Sequence, residues 1–182
     1  MKLQSYLLTT LLAASTLFTS CKKTDDVLNL GSGDLPAGKG KITFSTSSSF
    51  GGSNSFDGTN TLFSFATRQA STAYDQVTIQ AIESSGTTAK TAQLTILCAK
   101  GLTTSSGTIN ANFSNTASDN VFPVLVISNS ANTNEAYASE SGTVTITKLT
   151  TSEIEGTFSG HFINEDQGTS IEVTNGAFAG KF

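Results

Sequence analysis

The fold is decided by the closing stretch of the chain, which reads GTVTITK (142–148), IEGTFSGHF (154–162) and TSIEVTNGAFAGKF (169–182). Apolar and polar residues alternate in all three segments, and a period of two is typical of half-buried β-strands. In the second segment Phe158 and Phe162 share a face with glycines, which leave room for large side chains on neighbouring strands. The stretch therefore predicts three consecutive strands, each with one apolar face.

The third segment contains the pair Asn175-Gly176, which is typical of a turn or a β-bulge. Alternation resumes after the pair at Phe178 and continues to Phe182. We therefore predict that this pair shifts the register of the strand.

The same alternation recurs upstream, between segments rich in Gly, Ser, Thr and Asn. The residues predicted to face inward are Ile42, Phe44, Phe63, Phe65, Val77, Ile79, Ala81, Ala92, Leu94, Ile96, Cys98, Ile109, Ala111 and Phe113. The run VFPVLVIS (121–128) is apolar without alternation, which is typical of a strand covered on both faces, although its Pro123 favours an edge position. In total, about nine to eleven short strands are expected from this spacing. The sequence predicts an all-β fold, either an antiparallel β-sandwich or a barrel.

Composition limits the partners. The chain has 182 residues and a net charge of −4, and only 13% of its residues are charged. A nucleic-acid partner is not expected, because a phosphate backbone needs a basic face. The length fits a single domain with a sizeable core.

The N-terminus resembles a bacterial lipoprotein signal. Lys2 precedes an apolar run over residues 6–18, which is short for a membrane span, and small residues lead to Cys21. The tetrapeptide FTSC (18–21) resembles a lipobox, although Phe18 stands where Leu is usual. We predict a signal peptide over residues 1–20 and lipid attachment, with palmitate among the acyl chains, at Cys21. An ordinary secretory signal is the alternative.

Residues 21–40 are rich in Gly and charge, and we predict a flexible tether that leads to a single β domain over residues 41–182. The run Lys23-Thr24-Asp25-Asp26 resembles a signal for export to the outer face of the outer membrane, and a solvated linker explains it equally well. The expected location is the cell outer membrane, with the domain either periplasmic or surface-exposed.

Both ends of the chain are similar to one family. SCKK (20–23), GTVTITK (142–148), IEGTFSGHF (154–162) and IEVTNGAFAGKF (171–182) resemble small Bacteroidetes envelope lipoproteins with an uncharacterised β-rich domain. The resemblance implies an envelope lipoprotein of β architecture. It implies no activity and no catalytic residue.

Catalytic residues are scarce in this sequence. The single histidine, His161, lies on the outward face of its strand, and no G-x-S-x-G motif supplies a nucleophile for it. Cys98 is expected to be a buried small hydrophobe, and a single His and a single thiol do not make a zinc cluster. The loop NEDQG (164–168) carries oxygen ligands, but its spacing is that of a turn and does not match an EF-hand. We therefore predict no catalytic site, no metal and no cofactor.

Recognition by stacking is the remaining candidate activity. Tyr74 and Tyr137 are the candidate ligand-binding residues, since an exposed aromatic ring offers a stacking surface, although both also suit an ordinary strand. The sequence favours a lipid-anchored, non-catalytic β domain that serves binding, adhesion or structure, with a glycan, a protein or a small hydrophobic molecule as ligand. The alternative is a carrier that holds a small hydrophobic ligand inside a β-barrel.

Overall fold

The structure of the protein is a computed structural model, and it describes residues 31–85, 88–105, 107–113 and 120–182. The predicted lipidation site Cys21, the predicted signal peptide and the first part of the predicted tether lie outside these residues. The described part consists mainly of strands, with a single turn of 3-10 helix at Thr61–Phe63. The strands are β1 (Lys39–Phe50), β2 (Ser53–Gly58), β3 (Phe65–Ala70), β4 (Tyr74–Ser85), β5 (Thr88–Ala99), β6 (Ile109–Asn112), β7 (Val121–Asn129), β8 (Asn132–Leu149), β9 (Glu153–Asn164) and β10 (Thr169–Lys181).

All ten described strands join one antiparallel sheet. Its order is β2-β1-β10-β9-β8-β7-β5-β4-β3, and β6 pairs with β8 beside this path. The sheet curls until β3 and β4, at one edge, pack against β1, β2 and β10 at the other. The result is a half-barrel, which confirms the prediction of an all-β sandwich or barrel of nine to eleven strands.

The sheet divides at the long strand β8. The first part of β8 pairs with β7 over Val126 to Asn129, and its later part pairs with β6 over Ile109 to Asn112. Pro123 lies in β7 before the β7–β8 ladder begins, so its missing N–H removes no bond from that ladder. Pro123 therefore lies in a part of β7 that pairs on one side only, whereas β7 pairs on both sides from Val126 to Asn129.

The hairpin of β3 and β4 approaches β1 and β10 closely at what we call the closing seam, formed by Gly40, Gly180 and Ile79. Gly40 and Gly180 are opposite each other in the β1–β10 ladder. A Cβ atom on Gly40 would stand 2.5 Å from Ile79 Cγ2, so the seam requires a residue without a side chain there. The Ala66 N–H donates to the Gly38 carbonyl at 3.0 Å and ties β3 to the start of β1.

Phenylalanine rings fill the interior of the half-barrel. Phe44 stacks on Phe56 with ring centroids 4.9 Å apart, and it meets Phe158 edge-on at 6.1 Å. Phe178 lies 6.4 Å from Phe158 on the other side. Phe162 is fully buried as well, so the inward orientation predicted for Phe158 and Phe162 is confirmed. Each such ring contributes roughly 1.5–3 kcal/mol through burial.

For residues 61–68 the prediction of which side chains face inward is wrong. Alternation predicts that Phe63 and Phe65 face inward, but they are 49% and 39% exposed, while Ser64 and Ala66 are buried. The closing seam explains the difference, because β3 approaches the opposite strands too closely for an inward aromatic ring. Alternation predicts a strand, but it does not say which of two faces meets the core.

The prediction for Asn175-Gly176 is confirmed. The register between β9 and β10 shifts between Val173 and Gly176, and Asn175 has a positive φ of 52°. The pair therefore forms a bulge inside β10, after which Phe178 returns to the core.

The predicted tether over residues 21–40 ends in a docked segment. Ser32 and Leu35 are 0% and 2% exposed, and the Gly38 N–H donates to the Lys181 carbonyl at 2.8 Å. Lys39 already belongs to β1. Residues 31–38 are therefore part of the folded domain, as far as the structure describes them.

Candidate functional site

The two predicted ligand-binding tyrosines lie in different places. Tyr74 begins β4 and is 45% exposed. Tyr137 lies in the first part of β8, half-buried, and meets Phe50 edge-on with ring centroids 6.3 Å apart. The two rings therefore do not form one site, and Tyr74 is the more exposed of the two.

An open cleft of about 340 Å³ lies close to Tyr74 along the chain. Arg68, Asp75, Lys100 and Gly101 line it together with Phe182. We call it the Arg68 cleft. It lies where the β3–β4 hairpin turns, near the connection between β8 and β9.

A buried ion pair forms the wall of the Arg68 cleft. Arg68 Nε and Nη2 donate to Asp75 Oδ2 at 3.2 and 2.6 Å, and the two side chains are 10% and 6% exposed. The guanidinium also donates to the carbonyl oxygens of Thr150 at 2.5 Å and of Leu102 at 3.3 Å. Arg68 thereby connects the β3–β4 hairpin to two loops, so its donors are used in holding the fold together.

Hydrogen bonds keep Asp75 ionised. The Arg68 guanidinium, followed by the backbone N–H of Gly101 at 3.1 Å, holds the pKa of the Asp75 carboxyl below its usual range, although burial opposes the shift. The second oxygen, Oδ1, is buried and has no hydrogen-bond partner among the described residues. Because Oδ1 has lost contact with solvent, a molecule in the cleft does not reach it without a rearrangement.

The sequence contains a signal for this ion pair. Arg68 and Asp75 flank the short connection between two predicted strands, and opposite charges near a hairpin turn are placed to interact across it. The sequence does not predict that the pair is buried, because its burial depends on the loops around Leu102 and Thr150.

A second open cleft, of about 300 Å³, contains Tyr137. Val126 and Ile163 give it an apolar floor, and Glu165 and Asp166 place carboxylates at its rim. We call it the Tyr137 cleft. The apolar run of β7 predicted a strand covered on both faces. This prediction is wrong, because Val126 is 41% exposed.

The loop at the rim of the Tyr137 cleft is a turn, as its sequence favours. Asn164 Oδ1 accepts from the Gln167 N–H at 3.1 Å, a side-chain to backbone bond that stabilises turns. No group of three His, Cys, Asp or Glu side chains within the described ranges is arranged to hold a metal ion.

His161 forms a cross-strand contact on the outer face of the sheet. Its Nδ1 lies 2.7 Å from Glu172 Oε1, and its Nε2 lies 3.8 Å from a carboxylate oxygen of Glu140. The two glutamates are more than half exposed. Both ring nitrogens thus face carboxylates in solvent, which is the geometry of a surface ion pair.

Ser32 and Lys148 come together with Glu153 and Glu155 in a cluster that we call the Ser32 clasp. Lys148 Nζ lies 2.7 Å from Glu153 Oε2 and 3.5 Å from Ser32 Oγ. The Ser32 hydroxyl lies within hydrogen-bond distance of both glutamates, and its backbone N–H donates to Glu155 at 2.8 Å. The clasp fixes the N-terminal segment on the outer face of β8 and β9.

The charges of the Ser32 clasp argue against serine chemistry. The hydrogen bond to Glu153 raises the pKa of Lys148, so the amine stays protonated and cannot act as a base. Hydrogen bonds from Lys148 and then Ser32 lower the pKa of Glu153. Burial raises the pKa of Glu155, but the bonds from Ser32 and the charge of Lys148 outweigh it and lower the pKa overall. Ser32 is also fully buried, and no substrate reaches it.

No local pattern in the sequence predicts the Ser32 clasp. Ser32 and Glu153 are 121 residues apart, and the contact follows from the pairing of β9 with β8 and β10.

Cys98 is buried, as predicted, and is 2% exposed. Its Sγ contacts the Asp75 carbonyl oxygen at 3.5 Å, and desolvation raises the pKa of the thiol. A protonated, enclosed thiol is a poor nucleophile.

No protein family, curated protein or solved structure matches this chain. In the part of the chain that the structure describes, no helix has both the length and the apolar character needed to cross a membrane. The function is therefore inferred from the sequence and from the geometry and chemistry of the described residues.

Proposed function

We propose that the protein is a lipid-anchored cell-envelope protein whose β domain binds a partner at its surface and performs no catalysis. The observation that carries the proposal is the lipobox-like FTSC (18–21), which ends at Cys21. The residues that the structure describes begin ten positions later, at Gly31, and lead into the half-barrel. An acylated cysteine at this place would hold the domain at a membrane without a spanning helix. The outer membrane is the location that the run Lys23-Thr24-Asp25-Asp26 favours.

The packing of the interior supports surface binding over carriage of a hydrophobic ligand. A carrier needs an enclosed cavity large enough for its ligand. Here Phe44, Phe56, Phe158 and Phe178 occupy the interior and contact one another. The Arg68 cleft and the Tyr137 cleft, by contrast, are open to solvent.

The Tyr137 cleft is the better candidate for the binding surface. It combines an apolar floor at Val126 and Ile163 with carboxylates at Glu165 and Asp166, whereas the Tyr137 ring packs against Phe50 on the opposite face of β8. Apolar contact with a few polar groups that fix orientation is the usual composition of a ligand site. A glycan fits this combination, because its ring faces are apolar and its hydroxyls donate to carboxylates.

The anchor is tested by Cys21→Ser in cells fed labelled palmitate. We expect the variant to lose the label and to move from the membrane fraction to the soluble fraction. A Cys21→Ser protein that remains in the membrane fraction would contradict the proposal. Protease added to intact cells then distinguishes a surface-exposed domain, which is cleaved, from a periplasmic one.

Binding is tested on an array of envelope glycans. Val126→Arg places a long charged side chain in the Tyr137 cleft, and we expect it to abolish glycan binding. Tyr74→Ser is the matched control, because it removes an exposed ring outside that cleft. Equal loss in both variants, or loss in the control alone, would overturn the assignment of the binding surface.

A further inference from the structure

A short apolar ridge projects from the domain between β2 and β3. Leu62 is 79% exposed, Phe63 is 49% exposed and Phe65 is 39% exposed. Three large apolar side chains within four residues make a contiguous exposed feature, and such features mark contact with a partner or a membrane. We call these three residues the entry ridge.

The entry ridge lies where the chain enters the sheet from its N-terminal segment. The Lys39 ammonium donates to the Ser64 carbonyl at 3.2 Å, and Ala66 N–H donates to the Gly38 carbonyl at 3.0 Å. Ser64 lies within the ridge segment, between Phe63 and Phe65. The ridge is therefore held directly beside the residues that follow the predicted lipid anchor.

The chain between anchor and domain is short. Nine residues, 22–30, separate Cys21 from Gly31, where the described segment begins. As the flexible tether that the sequence predicts, these residues would span roughly 17 Å by the square-root rule. The Ser32 clasp then fixes the following segment on the sheet, so a lipid at Cys21 would keep this end of the domain near the bilayer surface.

Charge distinguishes this end of the sheet from the opposite one. Lys39 and Lys181 pair at the end of the β1–β10 ladder, beside the entry ridge, and Glu153 of β9 lies opposite Lys181, so the charges at this end are mixed. The opposite end of β9 and β10 carries Glu165 and Asp166 in its connecting turn, with Glu172 nearby in β10. An anionic surface therefore repels the second end, whereas it meets lysines as well as glutamates at the first.

We propose that the entry ridge inserts into the interfacial region of the same bilayer that holds the lipid on Cys21. This inference rests on the proposed function, since it needs the anchor. Leu62 and Phe63 supply apolar side chains to the headgroup boundary, and Lys39, whose ammonium lies beside them, faces anionic lipid. The domain then has a fixed orientation, with the Tyr137 cleft and the β9–β10 turn directed away from the membrane.

The size of the ridge favours a lipid surface over a second copy of the chain. Stable protein interfaces bury about 1,600 Å² in total, far more than three side chains provide. A bilayer needs less contact, because the covalent anchor already holds the ridge at high effective concentration near the lipid. A weak insertion is sufficient to orient a tethered domain.

The test uses the full mature chain, purified with its lipid and reconstituted in vesicles of phosphatidylethanolamine and phosphatidylglycerol. Phe63→Cys is labelled with an environment-sensitive fluorophore, and Asp166→Cys at the opposite end is the matched control. Cys98 is 2% exposed, so the introduced thiol is the reactive one. Leu62→Cys is a second labelling site, in case the first variant folds poorly.

We expect a blue shift of emission and quenching by spin-labelled lipid at position 63, with neither effect at position 166. Equal emission at both positions, in protein that floats with the vesicles, would overturn the insertion and leave the anchor intact. Shielding at position 63 without quenching by lipid would also overturn it, because a second protein copy then covers the ridge. Failure of the wild-type chain to float would instead contradict the proposed function.

Discussion

The two ends of the β9–β10 hairpin differ in charge, in exposed apolar surface and in how firmly they are held. The end where the chain enters has the Ser32 clasp, the Arg68–Asp75 pair and the closing seam, and beside them the exposed entry ridge. The opposite end has carboxylates at Glu165 and Asp166 and the solvent-facing contact of His161.

Buried polar contacts hold the entry end, whereas the polar contacts of His161 at the opposite end join exposed groups. Several buried donors and acceptors fix the positions of the side chains at the entry end. Contacts between exposed groups at the opposite end contribute little to the free energy of unfolding. The exposed entry ridge lies on this firmly held entry end, so the membrane contact that we propose for it would have a fixed position on the domain.

The largest effect is expected from Arg68→Met at the entry end. The substitution leaves the buried Asp75 carboxylate without its cation and leaves the Thr150 carbonyl without its donor. Breaking one partner of a buried pair is strongly destabilising, so we expect a large fall in the midpoint of urea unfolding, measured by circular dichroism. His161→Gln is the matched change at the opposite end, and we expect it to alter the free energy of unfolding by less than about 0.5 kcal/mol. Similar midpoints for the two variants would show that the ends do not differ as described.

An intermediate effect is expected from Gly40→Ala at the closing seam. The added methyl group meets Ile79 Cγ2 at 2.5 Å, and overpacking of this kind costs about 1–3 kcal/mol. Gly33→Ala is the control, because a Cβ atom there meets nothing within 4 Å. Thermal unfolding measures both, and an unchanged midpoint for Gly40→Ala would mean that β4 lies farther from β1 than the seam requires.

The smallest effect is expected from the Ser32 clasp, and it depends on pH. The pKa values of Glu153 and Glu155 are lowered in the folded state from an ordinary 4.5. Their stabilising contribution is therefore complete above that ordinary value and is lost as the pH falls through the lowered folded values. We expect protease to cleave residues 31–38 only on acidification in the wild type, and already at neutral pH in Ser32→Ala. Cleavage that is independent of pH in the wild type would show that the clasp does not hold this segment.

The sequence predicted the fold well because alternation is a local property of each strand. Ile79, Cys98 and Phe178 are all buried on the faces that the pattern indicates. The pattern failed at Phe63 and Phe65, where the approach of β3 to other strands decides which face is buried. That approach is a tertiary feature, and alternation alone does not contain it.

The candidate site was less predictable than the fold. Tyr74 is exposed as a stacking residue must be, but the half-burial of Tyr137 follows from a contact with Phe50 that no local pattern indicates. The Ser32 clasp and the burial of Arg68 also depend on residues far apart in the chain. The contacts of these charged groups depend on which strands and loops the topology brings together. The burial of most apolar residues, by contrast, follows from the alternation in the sequence.

We propose that the lipid anchor and the entry ridge together hold one end of the half-barrel on a bilayer. Amide hydrogen exchange tests this placement by comparing the lipidated chain on vesicles with Cys21→Ser free in solution. We expect added protection confined to residues 59–65 and to the start of β1, with unchanged exchange at residues 164–168. Protection centred on residues 164–168, or no difference between the two samples, would contradict it.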